Sequence, residues 1–298
     1  HATHRPVLQR GLSRLDPTQA RATAREVASG ISFDTLDDWC LAMPASTVAA
    51  LLRAETGHLP ALARWTRDFV ACLSPLSNAD QLNGASAAAL ELLDRFEILM
   101  AASPRPGSLL AAVLEQATAQ AGVQRRTLLC NLVGLLSQTC DATAALLGNA
   151  IVALRREPGL HAALVRGDTA AHDIVAEVAR HDAPVQNTRR FVAEGEGTEE
   201  LAGVRLAPGD AVLVLLACAL RDPALHDKPD RFELARAQRH QLGFGHGPHA
   251  CPGMGLAQCI AAAGLEQLCS APLSAEASLP AQWRYRPSVN ARQPLFGC

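Results

Sequence analysis

Apolar residues recur every three or four positions along most of the chain, which is the spacing of amphipathic helices. The longest such run covers residues 124 to about 156 and would measure about 50 Å as a helix at 1.5 Å per residue. Other helical runs cover residues 1 to about 54, 59–123, 170–180 and 254–268, with Pro- and Gly-containing breaks at 74–75, 77–78 and 104–107. The pattern therefore predicts a mainly helical protein.

Two shorter segments depart from this spacing. Apolar residues flank the turn residues Pro208-Gly209-Asp210, which predicts a turn between two short strands of a small sheet that begins near Arg190. Farther upstream, a turn through residues 33–39 is predicted to lead into a helix that starts at Met43-Pro44.

Composition narrows the class of protein. The 298 residues are 49% hydrophobic, enough for a large core, and the formal net charge of −2 shows no nucleic-acid or membrane signature. No run of about twenty apolar residues and no secretory signal is visible. The nine cysteines are scattered without a C-x-x-C pair. They argue against a disulfide framework and a zinc site, and for a reducing cytoplasm.

The most informative stretch is residues 244–253, with the sequence Phe-Gly-His-Gly-Pro-His-Ala-Cys-Pro-Gly. Its glycines permit unusual backbone angles and close approach of a ligand, and its prolines fix the remaining angles. A helical pattern follows directly, so Cys251 is predicted to lie where a rigid loop enters a helix. Free N–H groups at a helix N-terminus favour a thiolate, which can ligate a metal.

This stretch resembles the cysteine-ligand loop of the cytochromes P450, whose pattern is Phe-Gly-x-Gly-x-His-x-Cys-x-Gly. The resemblance implies haem b with an axial thiolate from Cys251 on the iron, and a haem-binding role for Phe244, Gly245, His249 and Gly253. The alternative is a Gly-rich turn that contains a buried structural cysteine.

The first residues resemble the family's His-x-x-x-Arg helix, which implies that His1 and Arg5 hold a haem propionate. These residues are four apart and share a helical face, and Arg suits a carboxylate because its fork donates two parallel hydrogen bonds. His4 and Arg10 offer a competing register, and a solvated basic face is the plain alternative.

Two further matches lie downstream. Glu177 and Arg180 match the family's Glu-x-x-Arg, and Arg231 is predicted to complete a buried structural triad with them. A buried charged network that lacks one partner destabilises the fold, so we expect all three residues to be needed together. Arg190 and His249 match the family's other propionate partners.

The long helix of residues 124–156 resembles the family's distal helix, which usually reads small-Gly-x-acid-Thr at its centre. Here the residues are Gln138, Thr139, a cysteine, Asp141 and Ala142, so the acid is present and the threonine is absent. These four are the candidate catalytic residues. Ala142 has no hydroxyl to relay a proton, and Thr143 points about 100° away around the helix.

The resemblance covers nearly the whole chain and implies a P450-like fold, mainly α with small β-sheets, in a single domain of residues 1–298. Residues 286–289 resemble the last hairpin of the family. The usual N-terminal region ahead of the first motif has no counterpart. We therefore expect either a natural short form with an open pocket or an N-terminally trimmed chain.

Three functions are compatible with these motifs. The first is a bacterial-type, cytoplasmic haem-thiolate monooxygenase that oxidises a small organic substrate with electrons from a ferredoxin-type partner. The second is a peroxide-using or oxidative-coupling enzyme that needs no threonine relay. The third is a non-catalytic haem-binding or interaction protein. The sequence points to no nucleic-acid or membrane partner.

Overall fold

The structure is a computed structural model that describes residues 3–31, 34–102, 104–195, 199–270 and 279–297. Helices dominate these segments, as the apolar spacing predicts. They are α1 (Arg5–Ser13), α2 (Pro17–Gly30), α3 (Leu36–Leu51), α4 (Leu59–Val70), α5 (Ala79–Ala101), α6 (Leu109–Ala119), α7 (Arg125–Arg156), α8 (Leu160–Arg166), α9 (Ala171–His181), α10 (Leu216–Ala219) and α11 (Met254–Ser270).

The strands form small antiparallel pairs. They are β1 (Thr188–Phe191), β2 (Glu199–Leu201), β3 (Val204–Leu206), β4 (Ala211–Val214), β5 (Arg284–Tyr285) and β6 (Pro294–Leu295). Strand β1 pairs with β4, β2 with β3, and β5 with β6. The predicted turn at Pro208-Gly209-Asp210 lies between β3 and β4, and Gly209 adopts a φ of +90° that favours glycine.

Helix α7 is the centre of the fold. It packs against α3, α4, α5, α9 and α11, and its side chains from Thr143 to Leu154 are all buried. One close approach is at Gly264 on α11, where a Cβ would lie 2.9 Å from Met43 Sδ and 3.0 Å from Leu147 Cδ2. This packing fixes the position of α11, and therefore of the loop that precedes it.

The predicted helix start at Met43-Pro44 is wrong. Helix α3 begins at Leu36 after an N-cap at Thr35, whose hydroxyl accepts a hydrogen bond from the backbone N–H of Asp38, and it runs through Pro44. Burial on every side of this helix outweighs the cost of one proline inside it.

The C-terminal hairpin is joined to α7 by one buried amide. Asn149 Nδ2 donates to the carbonyl of Asp182 at 2.9 Å and to that of Arg292 at 3.1 Å. A Cβ at Gly148 would lie 2.7 Å from Pro294 Cγ, so glycine permits this close contact. Within the described segments, none of the helices combines the length and hydropathy needed to span a bilayer.

Candidate functional site

The cysteine loop is a compact turn whose shape depends on its glycines. Gly245 has a φ of +76°, and a Cβ there would lie 2.7 Å from the carbonyl oxygen of His249. The backbone N–H of Cys251 donates to the carbonyl of Phe244 at 2.6 Å, which closes the loop just before α11 begins. The loop therefore presents Cys251 from a constrained backbone.

A cavity of about 730 Å³ lies between this loop and the distal helix α7. Cys251 and Phe244 form part of one wall, and Gln138 and Ala142 form part of another. The other predicted site residues that line it are Thr139, Arg190, Gly245, His249 and Gly253. Two separate motifs, more than a hundred positions apart, thus meet at one space.

Cys251 is exposed, yet neighbouring atoms exclude part of the water around its sulfur. Burial raises the pKa of the thiol above its ordinary value, while a backbone hydrogen bond from Gly253 and the positive charge of Arg5 act in the opposite direction. A metal ion at the sulfur would override this balance, because a coordinating thiol is deprotonated.

Two predicted site residues do not line the cavity. Asp141 lies behind the wall, where its Oδ2 accepts a hydrogen bond at 2.8 Å from Arg286 Nη2. Arg5 donates through Nη2 to the carbonyl of Ala250 in the cysteine loop. His1 lies outside the described residues.

The structure also adds polar residues to the cavity wall that the motifs did not indicate. Asn131, two helical turns before Gln138, lines the cavity. Thr143 borders it as well, although only 2% of this residue is exposed. Asn131 lies seven residues before Gln138, and Thr143 lies four residues after Thr139, so each shares a helical face with a predicted site residue. This spacing could have identified both from the sequence.

The prediction that Arg231 completes the Glu177–Arg180 triad is wrong. Arg180 Nη2 lies 2.6 Å from Glu177 Oε1, as the motif implies, and both side chains are buried. The other guanidinium groups come from Arg236, 3.5 Å from Oε1, and Arg239, 3.3 Å from Oε2. Arg231 is exposed and contributes its backbone carbonyl, which accepts from Arg180 Nη2 at 2.9 Å.

Arg236 takes the place predicted for Arg231 because of a turn that the sequence spacing does not reveal. Arg236 also donates to the carbonyls of Asp227 at 2.6 Å and Lys228 at 3.2 Å, and Lys228 has a φ of +45°. The segment therefore folds back on itself, and Arg236 enters the core where the four-residue motif pointed to Arg231.

The residues that line the cavity suit a cofactor that carries iron and carboxylates, such as haem. The soft sulfur of Cys251 suits iron, and Arg190 and His249 offer nitrogen groups suited to carboxylates at the same cavity. A Cβ at Gly253 would lie 3.9 Å from the sulfur, so glycine leaves the space beside it open. The donor set therefore agrees with the haem that the loop motif implies.

Comparison with known proteins points the same way. Residues 171–270 match the sequence model of the family described as Cytochrome P450. The chain is 29% identical over 269 residues to cytochrome P450 107B1 of Saccharopolyspora erythraea, and this match covers 89% of the chain and 64% of that protein. It is 31% identical over 157 residues to the biotin biosynthesis cytochrome P450 of Bacillus subtilis, covering 53% of the chain and 37% of that protein. The chain thus spans less than two thirds of these relatives.

The fold agrees as well. The crystal structure of CalO2 matches with a TM-score of 0.79 at 25% identity, covering 99% of this chain and 76% of that one. CYP109B1 from Bacillus subtilis matches with a TM-score of 0.79 at 22% identity, covering 99% and 82%, which supports the fold alone. The mainly helical fold with small sheets is confirmed. Haem held by a cysteine thiolate is the cofactor of this family. Residues 171–270 thus match the cytochrome P450 family, and over most of its length the chain is similar to cytochromes P450 in sequence and fold.

Proposed function

We propose that this chain is a haem-thiolate oxidoreductase that inserts oxygen into a small organic substrate as a monooxygenase. The observation that carries the proposal is the meeting of Cys251 with Gln138 and Ala142 across one cavity of about 730 Å³. We further propose that residues 1–298 act as a single domain, because one core cluster joins the distal helix α7 to α3, α9 and α11.

In this proposal Cys251 would bind the haem iron through its sulfur, and the surrounding loop would fix its position. Arg190 and His249 would hold the carboxylates of the haem, and Phe244 would pack against it. Arg190 Nη1 now donates to Thr188 Oγ1 at 2.7 Å, so its guanidinium is already held at the cavity by β1. When bound, haem supplies oxygen activation, and a thiolate ligand favours cleavage of the O–O bond.

The distal wall supplies the chain's own contribution to proton handling. Gln138 and Thr139 face the cavity, and the Thr139 hydroxyl donates to the carbonyl of Leu135 at 2.6 Å. Ala142 adds a methyl group that can neither donate nor accept a hydrogen bond. Asp141 is paired with Arg286 behind this wall, so it would act only after that pair opens.

The substrate space is mainly apolar, which supports a small organic molecule as the substrate. Leu8, Leu12, Val48, Leu109 and Leu146 line it, and Asn131 adds one polar group. A cavity of mostly apolar side chains with few polar groups is typical of small-molecule sites.

We propose a ferredoxin-type protein as the electron donor. A second groove of about 520 Å³ lies at the loop and is lined by Cys251 together with Arg239, His240 and His246. Because Arg239 is already paired with Glu177, His240 and His246 would be the polar partners of an acidic donor, which would approach Cys251 from outside the main cavity. We also propose a cytoplasmic location, because the cysteines in the described segments are free thiols.

The experiment is the absorption spectrum of the reduced protein with carbon monoxide, measured for the wild type, Cys251→Ser and Cys259→Ser. Cys259 is a half-buried cysteine of α11 that lines neither the cavity nor the groove, so it controls for loss of a thiol. We expect the red-shifted band of thiolate ligation in the wild type and Cys259→Ser. A Cys251→Ser protein that keeps this band would overturn the ligand assignment.

The reaction class needs its own test. Product formed in isotopically labelled dioxygen with a reductant should contain the label. Turnover with peroxide alone, and none with dioxygen and reductant, would replace the monooxygenase proposal by the peroxide-using one.

A further inference from the structure

Helix α1 presents one face toward the cavity and the cysteine loop. Leu8 and Leu12 line the cavity, and Arg5 precedes Leu8 by three residues, so it lies on the same helical face. Arg5 itself is not part of the cavity wall. It lies in the first turn of the helix, and its side chain extends toward the cysteine loop.

The guanidinium of Arg5 ends on the cysteine loop. Its Nη2 donates to the carbonyl of Ala250, the residue directly before Cys251. The neighbouring backbone bonds are internal to the loop: the N–H of Ala250 donates to Gly247 at 3.0 Å, and that of Cys251 to Phe244 at 2.6 Å. Arg5 therefore supplies a contact from a distant element, which ties α1 to the peptide that carries the sulfur.

The charge of Arg5 also acts on the sulfur. The carbonyl that Arg5 contacts belongs to the residue directly before Cys251, so the guanidinium lies next to the peptide that carries the sulfur. The effect is that of a cation near a thiolate, which stabilises the charged form. The hydrogen bond and the charge of Arg5 thus act on two adjacent residues, Ala250 and Cys251.

We propose that Arg5 is a positioning residue for Cys251, which fixes the Ala250 carbonyl and places a positive charge beside the ligand sulfur. The inference rests on the proposed haem-thiolate function. It replaces the propionate role that the family resemblance implies for Arg5, because Arg190 and His249 line the cavity and Arg5 does not.

A positive charge at this place favours the reduced centre, since reduction adds negative charge near the thiolate. Loss of the charge should therefore move the reduction potential of the bound haem to more negative values. Loss of the carbonyl contact should loosen the loop and increase the share of protein that no longer holds the thiolate ligand.

The test compares Arg5→Met, Arg5→Lys and Arg10→Met as purified holoproteins. Arg10 lies on the same helix and donates to Gln120 Oε1 at 2.8 Å on the surface, which makes it the matched control. The readouts are haem content, reduction potential and the carbon monoxide spectrum, which do not depend on turnover.

We expect Arg5→Met to keep its haem, to show a more negative potential, and to have a larger unshifted fraction in its carbon monoxide complex. Arg5→Lys should keep a potential near that of the wild type, and Arg10→Met should change neither value. Should Arg5→Met fail to fold, Arg5→Gln removes the charge while keeping a shorter amide donor.

Two results would overturn the inference. If Arg5→Met lost haem, while the remaining holoprotein kept the wild-type reduction potential and carbon monoxide spectrum, Arg5 would instead be a ligand of the haem propionates. Unchanged values in every Arg5 variant would make it an ordinary surface arginine. A wild type without the thiolate band would instead refute the proposed function, and the Arg5 inference would fail with it.

Discussion

Arg286 Nη2 lies 2.8 Å from Asp141 Oδ2, which connects the C-terminal hairpin directly to the distal helix across 145 positions of sequence. The other oxygen, Asp141 Oδ1, is buried and has no hydrogen-bond partner among the described residues. The carboxylate thus depends on Arg286 for its compensation.

We predict that Arg286→Met lowers the free energy of unfolding by about 1 kcal/mol, the upper end for surface ion pairs, because these two side chains are only 35% and 26% exposed. Urea denaturation measures this. Arg166→Met is the control, because its pair with Asp168 is more exposed, with side-chain exposures of 62% and 57%. Equal losses in the two variants would show that burial of Asp141 contributes nothing.

The Glu177 cluster gives a second prediction on stability. Arg236→Met should cost about 2 kcal/mol, since it removes one contact with a buried carboxylate and the hydrogen bonds to the carbonyls of Asp227 and Lys228. Arg231→Met should stay within about 0.5 kcal/mol, as expected for an exposed side chain. Unfolding in urea compares the two, and the reverse order would restore the Arg231 triad.

Glu177→Gln should be the most damaging change in this cluster. It leaves the guanidinium groups of Arg180, Arg236 and Arg239 around a neutral side chain, and an uncompensated buried charge costs about 3–5 kcal/mol. We expect a large drop in thermal stability, whereas Glu233→Gln, at the edge of the cluster, should have little effect. A stable Glu177→Gln protein would show that the carboxylate is dispensable.

Stability should also fall in mild acid because of His226. This side chain is 3% exposed, and its Nε2 has no hydrogen-bond partner among the described residues. Burial lowers its pKa below the ordinary value of 6.5, and the charges of Arg180, His240 and Arg236 lower it further, against the opposing charge of Glu177. Because the unfolded chain binds the proton more readily, this stability is present above pH 6.5 and is lost as the pH falls toward the folded pKa.

Melting temperatures of wild type and His226→Gln between about pH 5 and 8 test this, in the range where histidine titrates. We expect a shallower acid loss in His226→Gln. His172→Gln, on the exposed face of α9, should keep the wild-type slope.

Asp182 contributes to stability in a more acidic pH range. Burial raises the pKa of its carboxyl group, but the hydrogen bond from His181 and the charges of His181, Arg292 and Arg156 lower it below its ordinary value, so this contribution is lost only below about pH 4.

The distal wall gives a prediction on catalysis. Ala142→Thr places a hydroxyl on the cavity wall, and product per reducing equivalent should rise by roughly twofold or more, well within what a positioned proton donor supplies. Thr143→Val should change this ratio little, because that residue is 2% exposed. No change in Ala142→Thr would show that protons reach the site by another path.

The sequence predicted best where local pattern and motif coincide. Helix α7 begins at Arg125 and ends at Arg156, within one residue of the prediction, because its apolar period is uninterrupted. The loop of residues 244–253 was also recognisable, since its glycines and cysteine stand at fixed spacing. Its haem-binding residues stay predictions that the cavity supports.

The misses share a physical cause, which is that they depend on contacts between distant segments. Arg236 replaces Arg231 because the chain turns back at Lys228, and Asp141 pairs with Arg286 from the far end of the chain. Arg5 meets Ala250 across 245 positions. No period or short motif encodes such pairings, so they require the folded structure.

Cys251 borders both the main cavity and the second groove, so one residue is shared by the two spaces. Water in the groove can therefore hydrate the sulfur and withdraw electron density from it. A molecule that covers the groove would exclude this water from the sulfur. A partner bound in the groove would therefore change the hydration of Cys251 without entering the main cavity.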